Sequence, residues 1–113
     1  MPFINFITNV SVPDEKEKLL KTRLGEAITA VPGKSEEWLM VHILPDAALY
    51  FRGSDAPAAM VEVTVFGHAE QSAYVSLTSR ICEAAKEILD IPPSSVYVRY
   101  AETDEWGWNG MNF

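Results

Sequence analysis

Ala59-Met60-Val61-Glu62-Val63-Thr64-Val65-Phe66 is the longest β-favouring run in the chain. Side chains alternate along a strand, so Val61, Val63 and Val65 share one face while Glu62 and Thr64 share the other. Downstream, from about Glu70 to Leu89, Leu77, Ile81, Ala84 or Ala85, and Ile88 recur at steps of three and four. That spacing traces one face of a helix, which Pro92-Pro93 ends. Val96-Tyr97-Val98-Arg99-Tyr100 then returns to strand-favouring residues. This half of the chain reads strand, helix, strand.

The first half repeats the pattern. Phe3 to Thr8 predicts a short strand. Ser11-Val12-Pro13-Asp14 predicts a helix start, with a serine cap, an early proline and an acid beside free amides. Leu20, Leu24, Ile28 and Val31 supply its apolar face, while Glu15, Lys18, Lys21 and Glu26 occupy the others. Pro32-Gly33 stops it. A strand is expected from about Glu37 to Leu44, ended by Pro45-Asp46, with a short edge strand at Leu49-Tyr50-Phe51. Equivalent points of the two halves lie about 57 residues apart.

Each helix needs a sheet to cover its stripe, so the expected fold class is α+β. The unit is β-α-β-β-α-β with a pseudo-twofold repeat, its two helices packed on one side of a four-stranded mixed sheet. Ile4 or Phe3, Val61 and Val96 are expected on the opposite face, which oligomerisation would cover.

At 113 residues the chain suits a single domain, spanning 1–113. Its formal charge of −7 and scattered basic residues argue against binding nucleic acid or an anionic membrane. Cys82 is the only cysteine, so no intrachain disulfide can form. The start lacks a cationic segment followed by a long apolar core, and the simplest expected address is the cytoplasm. Release by a route without a signal peptide stays open. His42 and His68 follow no metal-ligand spacing, and no glycine-rich phosphate loop is present, so neither metal nor cofactor is expected.

Short matches then accumulate in order along the whole chain: Met1-Pro2, Thr8-Asn9, Ser11-Val12-Pro13-Asp14, Gly33-Lys34, Val41-His42-Ile43-Leu44-Pro45-Asp46, Phe51-Arg52-Gly53-Ser54, Phe66-Gly67, Val96-Tyr97-Val98 and Trp106-Gly107-Trp108-Asn109-Gly110. In these features the chain resembles the macrophage migration inhibitory factor and D-dopachrome tautomerase family. The resemblance implies a homotrimer around a central solvent channel, with pockets between neighbouring subunits. It also implies tautomerisation of aromatic 2-keto acids such as phenylpyruvate, or of dopachrome-type compounds.

Pro2 is the residue on which this chemistry turns. Inside a chain its nitrogen is an inert amide, but removal of Met1 would make it a secondary amine. A free α-amine titrates near neutrality, and an apolar wall or nearby cations would favour its unprotonated, basic form. By resemblance, Lys34 meets the substrate carboxylate or carbonyl oxygen; its ammonium would stabilise an enolate. Phe66, Tyr97, Arg99 and Trp106 complete the expected substrate-binding set, Tyr97 arriving from a neighbouring subunit. Tyr97 and Arg99 point to the same side of their strand. Arg99 could hold a carboxylate or form an interfacial salt bridge; both roles stay open. Trp106 is expected to line the pocket and Trp108 to pack between subunits.

Two departures from mammalian members narrow what the resemblance carries. Their Cys-x-x-Cys segment is here Ala58-Ala59-Met60-Val61, which leaves no dithiol for thiol exchange. The loop before the first helix is also shorter, which weakens the transfer of receptor mimicry. A cell-surface receptor would be a partner only if the chain is released, and a secreted signalling ligand with a vestigial pocket is the alternative function.

Overall fold

The alternation of β-branched residues and the two helical stripes become one sheet with one covered side. The computed structural model describes residues 1–113. Its strands are β1 (Pro2–Thr8), β2 (Met40–Leu44), β3 (Ala59–Phe66) and β4 (Val96–Thr103); its helices are α1 (Asp14–Ala27) and α2 (Gln71–Leu89). The sheet order is β2-β1-β3-β4. β1 and β3 run antiparallel at the centre, while β2 is parallel to β1 and β4 to β3. Each parallel pair needs a crossover, which α1 and α2 supply. The predicted fold class is observed, pseudo-twofold arrangement included.

Ile4, Phe6, Val61, Val63 and Val65 form the sheet side of the core; Leu20, Leu24, Ile28, Leu77 and Ile81 form its helix side. All are buried. Fully burying one such side chain contributes about 1.5–3 kcal/mol, so this layer dominates stability. The left-handed Asp90 (φ 55°) closes α2. Neither helix is long and apolar enough to cross a membrane.

Which side of the sheet carries which residues corrects one expectation. Ile4 and Val61 are buried among the helices, and Val96 packs against that same core. The helices' apolar stripes cover the face that carries Ile4, Phe6, Val61, Val63 and Val65, leaving Phe3, Asn5, His42, Glu62, Thr64 and Arg99 opposite. There, Asn5 Nδ2 donates to Glu62 (3.2 Å), His42 Nδ1 meets Asn5 Oδ1 at 2.9 Å, and Arg99 reaches Glu62 at 3.5 Å. A polar row thus crosses all four strands at one level. The uncovered side has a polar centre with apolar residues such as Met40, Leu44 and Tyr97 around it.

Three local expectations also change. Glu36–Trp38 forms a 3-10 turn, so β2 begins only at Met40. Leu49-Tyr50-Phe51 makes no strand; Phe51 and Ser54 close a tight turn through a single bridge. Asn9 holds that loop, accepting from the Ala58 amide (2.9 Å) and donating to the carbonyls of Leu49 (3.0 Å) and Ala56 (2.8 Å). Ser11 does not cap α1; its hydroxyl donates to Asp46 at 2.6 Å, and Pro13 takes the cap position.

Candidate active site

Pro2 pairs with Val65, which sets the N-terminus beside the last residue of β3. The Phe66 amide donates to the Met1 carbonyl at 3.1 Å. Lys34 Nζ donates to the Phe66 carbonyl at 2.9 Å. Gly33 (φ 80°) makes the turn that delivers Lys34, a backbone conformation in which a side chain would be strained. One residue, Phe66, therefore fixes both the chain start and the lysine through its main chain.

Half-burial and the adjacent cation both penalise a proton on the terminal amine. The Met1 amine is accordingly pushed down from 8.0 to about 6, by burial first and then by the Lys34 ammonium and its hydrogen bond. In the chain that retains Met1, the terminal amine thus sits beside Lys34 with its proton affinity lowered.

A cleft of about 770 Å³ opens here, lined by Met1, Pro2, Phe3, Trp38, Thr64, Trp106 and Trp108 among others. Its aromatic residues come from β1 (Phe3), the 3-10 turn (Trp38) and the C-terminal segment (Trp106, Trp108), which folds into the hairpin of β5 (Gly107–Trp108) and β6 (Met111–Asn112). Asn109 (φ 54°) and Gly110 (φ 77°) form the turn between them, the two positive φ values suiting a tight hairpin. Trp38 meets Trp108 edge-on at 5.1 Å, Trp108 stacks on Phe113 at 6.4 Å, and Phe113 meets Phe66 at 5.7 Å. Such a wall suits a flat ring.

Pro2, Lys34, Phe66 and Trp106 are thus brought together at one end of the sheet. Tyr97 and Arg99 are not. Tyr97 pairs with Met60, five residues along β3 from Val65, which at the rise of a strand is about 17 Å away. There Tyr97 is 61% exposed and meets Phe51 edge-on at 5.1 Å. Arg99 lies over the polar row against Glu62. Trp108 lines the cleft as well. Trp38 and Phe113 lie outside the expected set; Trp38 falls in the stretch that the sequence predicts as a strand and the structure makes a 3-10 turn.

The sequence matches the macrophage migration inhibitory factor (MIF) family profile over residues 1–113. It is 31% identical to macrophage migration inhibitory factor of Xenopus laevis, covering 100% of this chain and 99% of that one. Among solved structures, Leishmania major MIF2 superposes with a TM-score of 0.93 at 36% identity, covering 100% of this chain and 97% of that one. A homologue from Prochlorococcus marinus gives a TM-score of 0.84 at 26% identity over 98% of both chains. With the match running end to end in sequence and in backbone, this chain belongs to the macrophage migration inhibitory factor family.

Proposed function

We propose that the mature chain, lacking Met1, is a keto–enol tautomerase of aromatic 2-keto acids such as phenylpyruvate. The observation that carries this reading is Lys34, held by the Phe66 carbonyl beside the chain start, whose first residues line an aromatic cleft. Neutral Pro2 nitrogen takes a proton from the carbon next to the keto group. The electron pair released from that C–H bond moves onto the carbonyl oxygen, where the Lys34 ammonium stabilises the enolate. Protonated Pro2 then delivers its proton to that oxygen, giving the enol; the reverse sequence regenerates the ketone. Phe3, Trp38, Trp106 and Trp108 hold the ring.

The distance between Tyr97 and Pro2 within one chain supports a homotrimer. A neighbour docking its Tyr97 end against the Pro2 end would supply the missing hydroxyl, and in the proposed trimer three such head-to-tail contacts close into a ring. Arg99 would come with it, to the rim of the same pocket. The proposed address is the cytoplasm.

The test compares phenylpyruvate tautomerisation by mature protein with that of Pro2→Gly, after mass measurement shows Met1 absent. A drop of about hundredfold or more is expected for loss of the base. Equal rates would overturn the role of Pro2, and no turnover in either would favour a signalling ligand.

A further inference from the structure

We infer that Glu102, acting through the turn at residues 67–70, is a positioning residue for Lys34 and the chain start. The inference rests on the reading of the N-terminal amine as the base. Glu102 lies opposite Val65 on β4, and its carboxylate gathers three donors. The Ala69 amide donates at 3.1 Å, the Tyr74 hydroxyl at 2.7 Å, and the His68 ring lies at 3.0 Å. Tyr74 is itself anchored, with its ring 4.7 Å from Tyr100 and its carbonyl accepting from the Tyr100 hydroxyl at 3.0 Å. Glu102 therefore fastens the connection between β3 and α2 to β4.

That connection starts at Gly67 (φ 95°), whose amide donates to the Thr103 carbonyl at 3.0 Å. The residue before it is Phe66, which contacts both Met1 and Lys34 through its main chain. Removal of Met1 takes away the acceptor of the Phe66 amide, so the Phe66 carbonyl then depends more heavily on the turn that follows it. An isolated surface ion pair would be too weak to matter. A carboxylate receiving a main-chain amide, a phenol and an imidazole is over-determined, and it fixes backbone as well as side chains.

The groups facing this carboxylate are His68 and Tyr74, with Glu70 acting on His68 and Tyr100 packed on Tyr74. If the turn loosens, the Phe66 carbonyl releases Lys34, its ammonium stands farther from the amine, and the amine holds its proton more tightly.

Proline-selective 15N NMR titration of the Pro2 amine in mature protein tests this without any substrate. Wild type is to be compared with Glu102→Gln, His68→Ala and, as a control, Arg23→Ala, which breaks the surface pair between Arg23 and Glu87 elsewhere. Losing the Glu102 charge by itself lowers the midpoint slightly, so a rise in Glu102→Gln of about half a unit or more, a threefold change in proton affinity, reads the loss of positioning, with His68→Ala moving it less in the same direction. Arg23→Ala should leave it unchanged. A lowered midpoint in wild type that neither Glu102→Gln nor His68→Ala moves would overturn the inference. Should Glu102→Gln fail to fold, the His68→Ala result decides alone. An ordinary wild-type midpoint that Glu102→Gln still raises would remove the base assignment and keep the positioning role. An ordinary midpoint that no variant moves would remove both.

Discussion

Lys34 reaches the Phe66 carbonyl rather than a carboxylate, so its charge is not neutralised by an acid and stays available to a substrate oxygen. Lys34→Ala is expected to lower kcat/KM for phenylpyruvate by about hundredfold, the scale of losing one oxyanion-stabilising group. Its melting temperature should change little, because the residue is only half-buried. The same lysine lowers the proton affinity of the Met1 amine, and the amine that Pro2 would expose lies at the same end of β1. Activity should therefore fall as pH drops into the range where that amine takes up a proton, and in Lys34→Ala the fall should begin at higher pH. Initial-rate measurements across pH would check both. Glu102 carries a different signature. Its donors, His68 first, hold the carboxyl at about 2 against an ordinary 4.5. A carboxylate with a depressed folded value contributes stability that is complete above the unfolded value and lost as pH falls through the folded one. Acid unfolding between about pH 4.5 and 2 should thus be flatter in Glu102→Gln, read by circular dichroism. Pro2 and Lys34 were legible in the sequence only through the family pattern. The Glu102 cluster was not legible at all, because its members are 28 to 34 positions apart and meet only after β4 has docked.

At the level of elements, α1 carries an unusual contact. Gly25 is buried, and a Cβ placed there would run into the Glu36 carboxylate. Glu36 lies on the turn after Lys34 and pairs with Lys21 at 3.4 Å. Gly25→Ala must therefore displace Glu36. The contacted atoms are the far end of a flexible side chain, and an exposed pair is worth about 0–1 kcal/mol, whereas alanine gains about 1 kcal/mol over glycine inside a helix. The expected outcome is a small net gain in stability by urea unfolding, with KM for the keto acid raised as the Lys34 turn loses its tether. Phe6→Ala, deep in the core, should instead cost about 3–5 kcal/mol in the same assay. Both helices and the three long strands could be read from periodicity. Alternation tells which residues share a face but not which face meets the helices: of the expected Ile4 or Phe3, Val61 and Val96, only Phe3 lies on the uncovered side. Trp38 illustrates a second limit, since a run of large apolar residues favours a strand locally while the backbone around Lys34 had already committed it to a turn.

On the scale of the whole molecule, the groups proposed to act on one substrate sit at opposite ends of the sheet. Mixing Lys34→Ala chains with Tyr97→Ala chains is therefore expected to restore activity that neither has alone. About a quarter of pockets in randomly mixed rings would pair an intact Lys34 with an intact Tyr97. Refolding the two variants together and measuring tautomerisation would check this, and no recovery would place each pocket within one chain. The repeat was legible in sequence as two similar halves. The separation of Tyr97 from Pro2 required the strand register.

The polar row His42–Asn5–Glu62–Arg99 follows that repeat closely. Asn5 and Glu62 are separated by 57 positions, while His42 from Asn5 and Arg99 from Glu62 are each separated by 37. The internal dyad thus passes between an amide and a carboxylate, groups that keep their hydration unless every lone pair is matched. Two such sheets laid flat against each other would strand those atoms in a dry seam, so sandwich-like stacking is disfavoured from within. Exchanging the row for valines and leucines should free that route and turn a well-behaved particle into a precipitate.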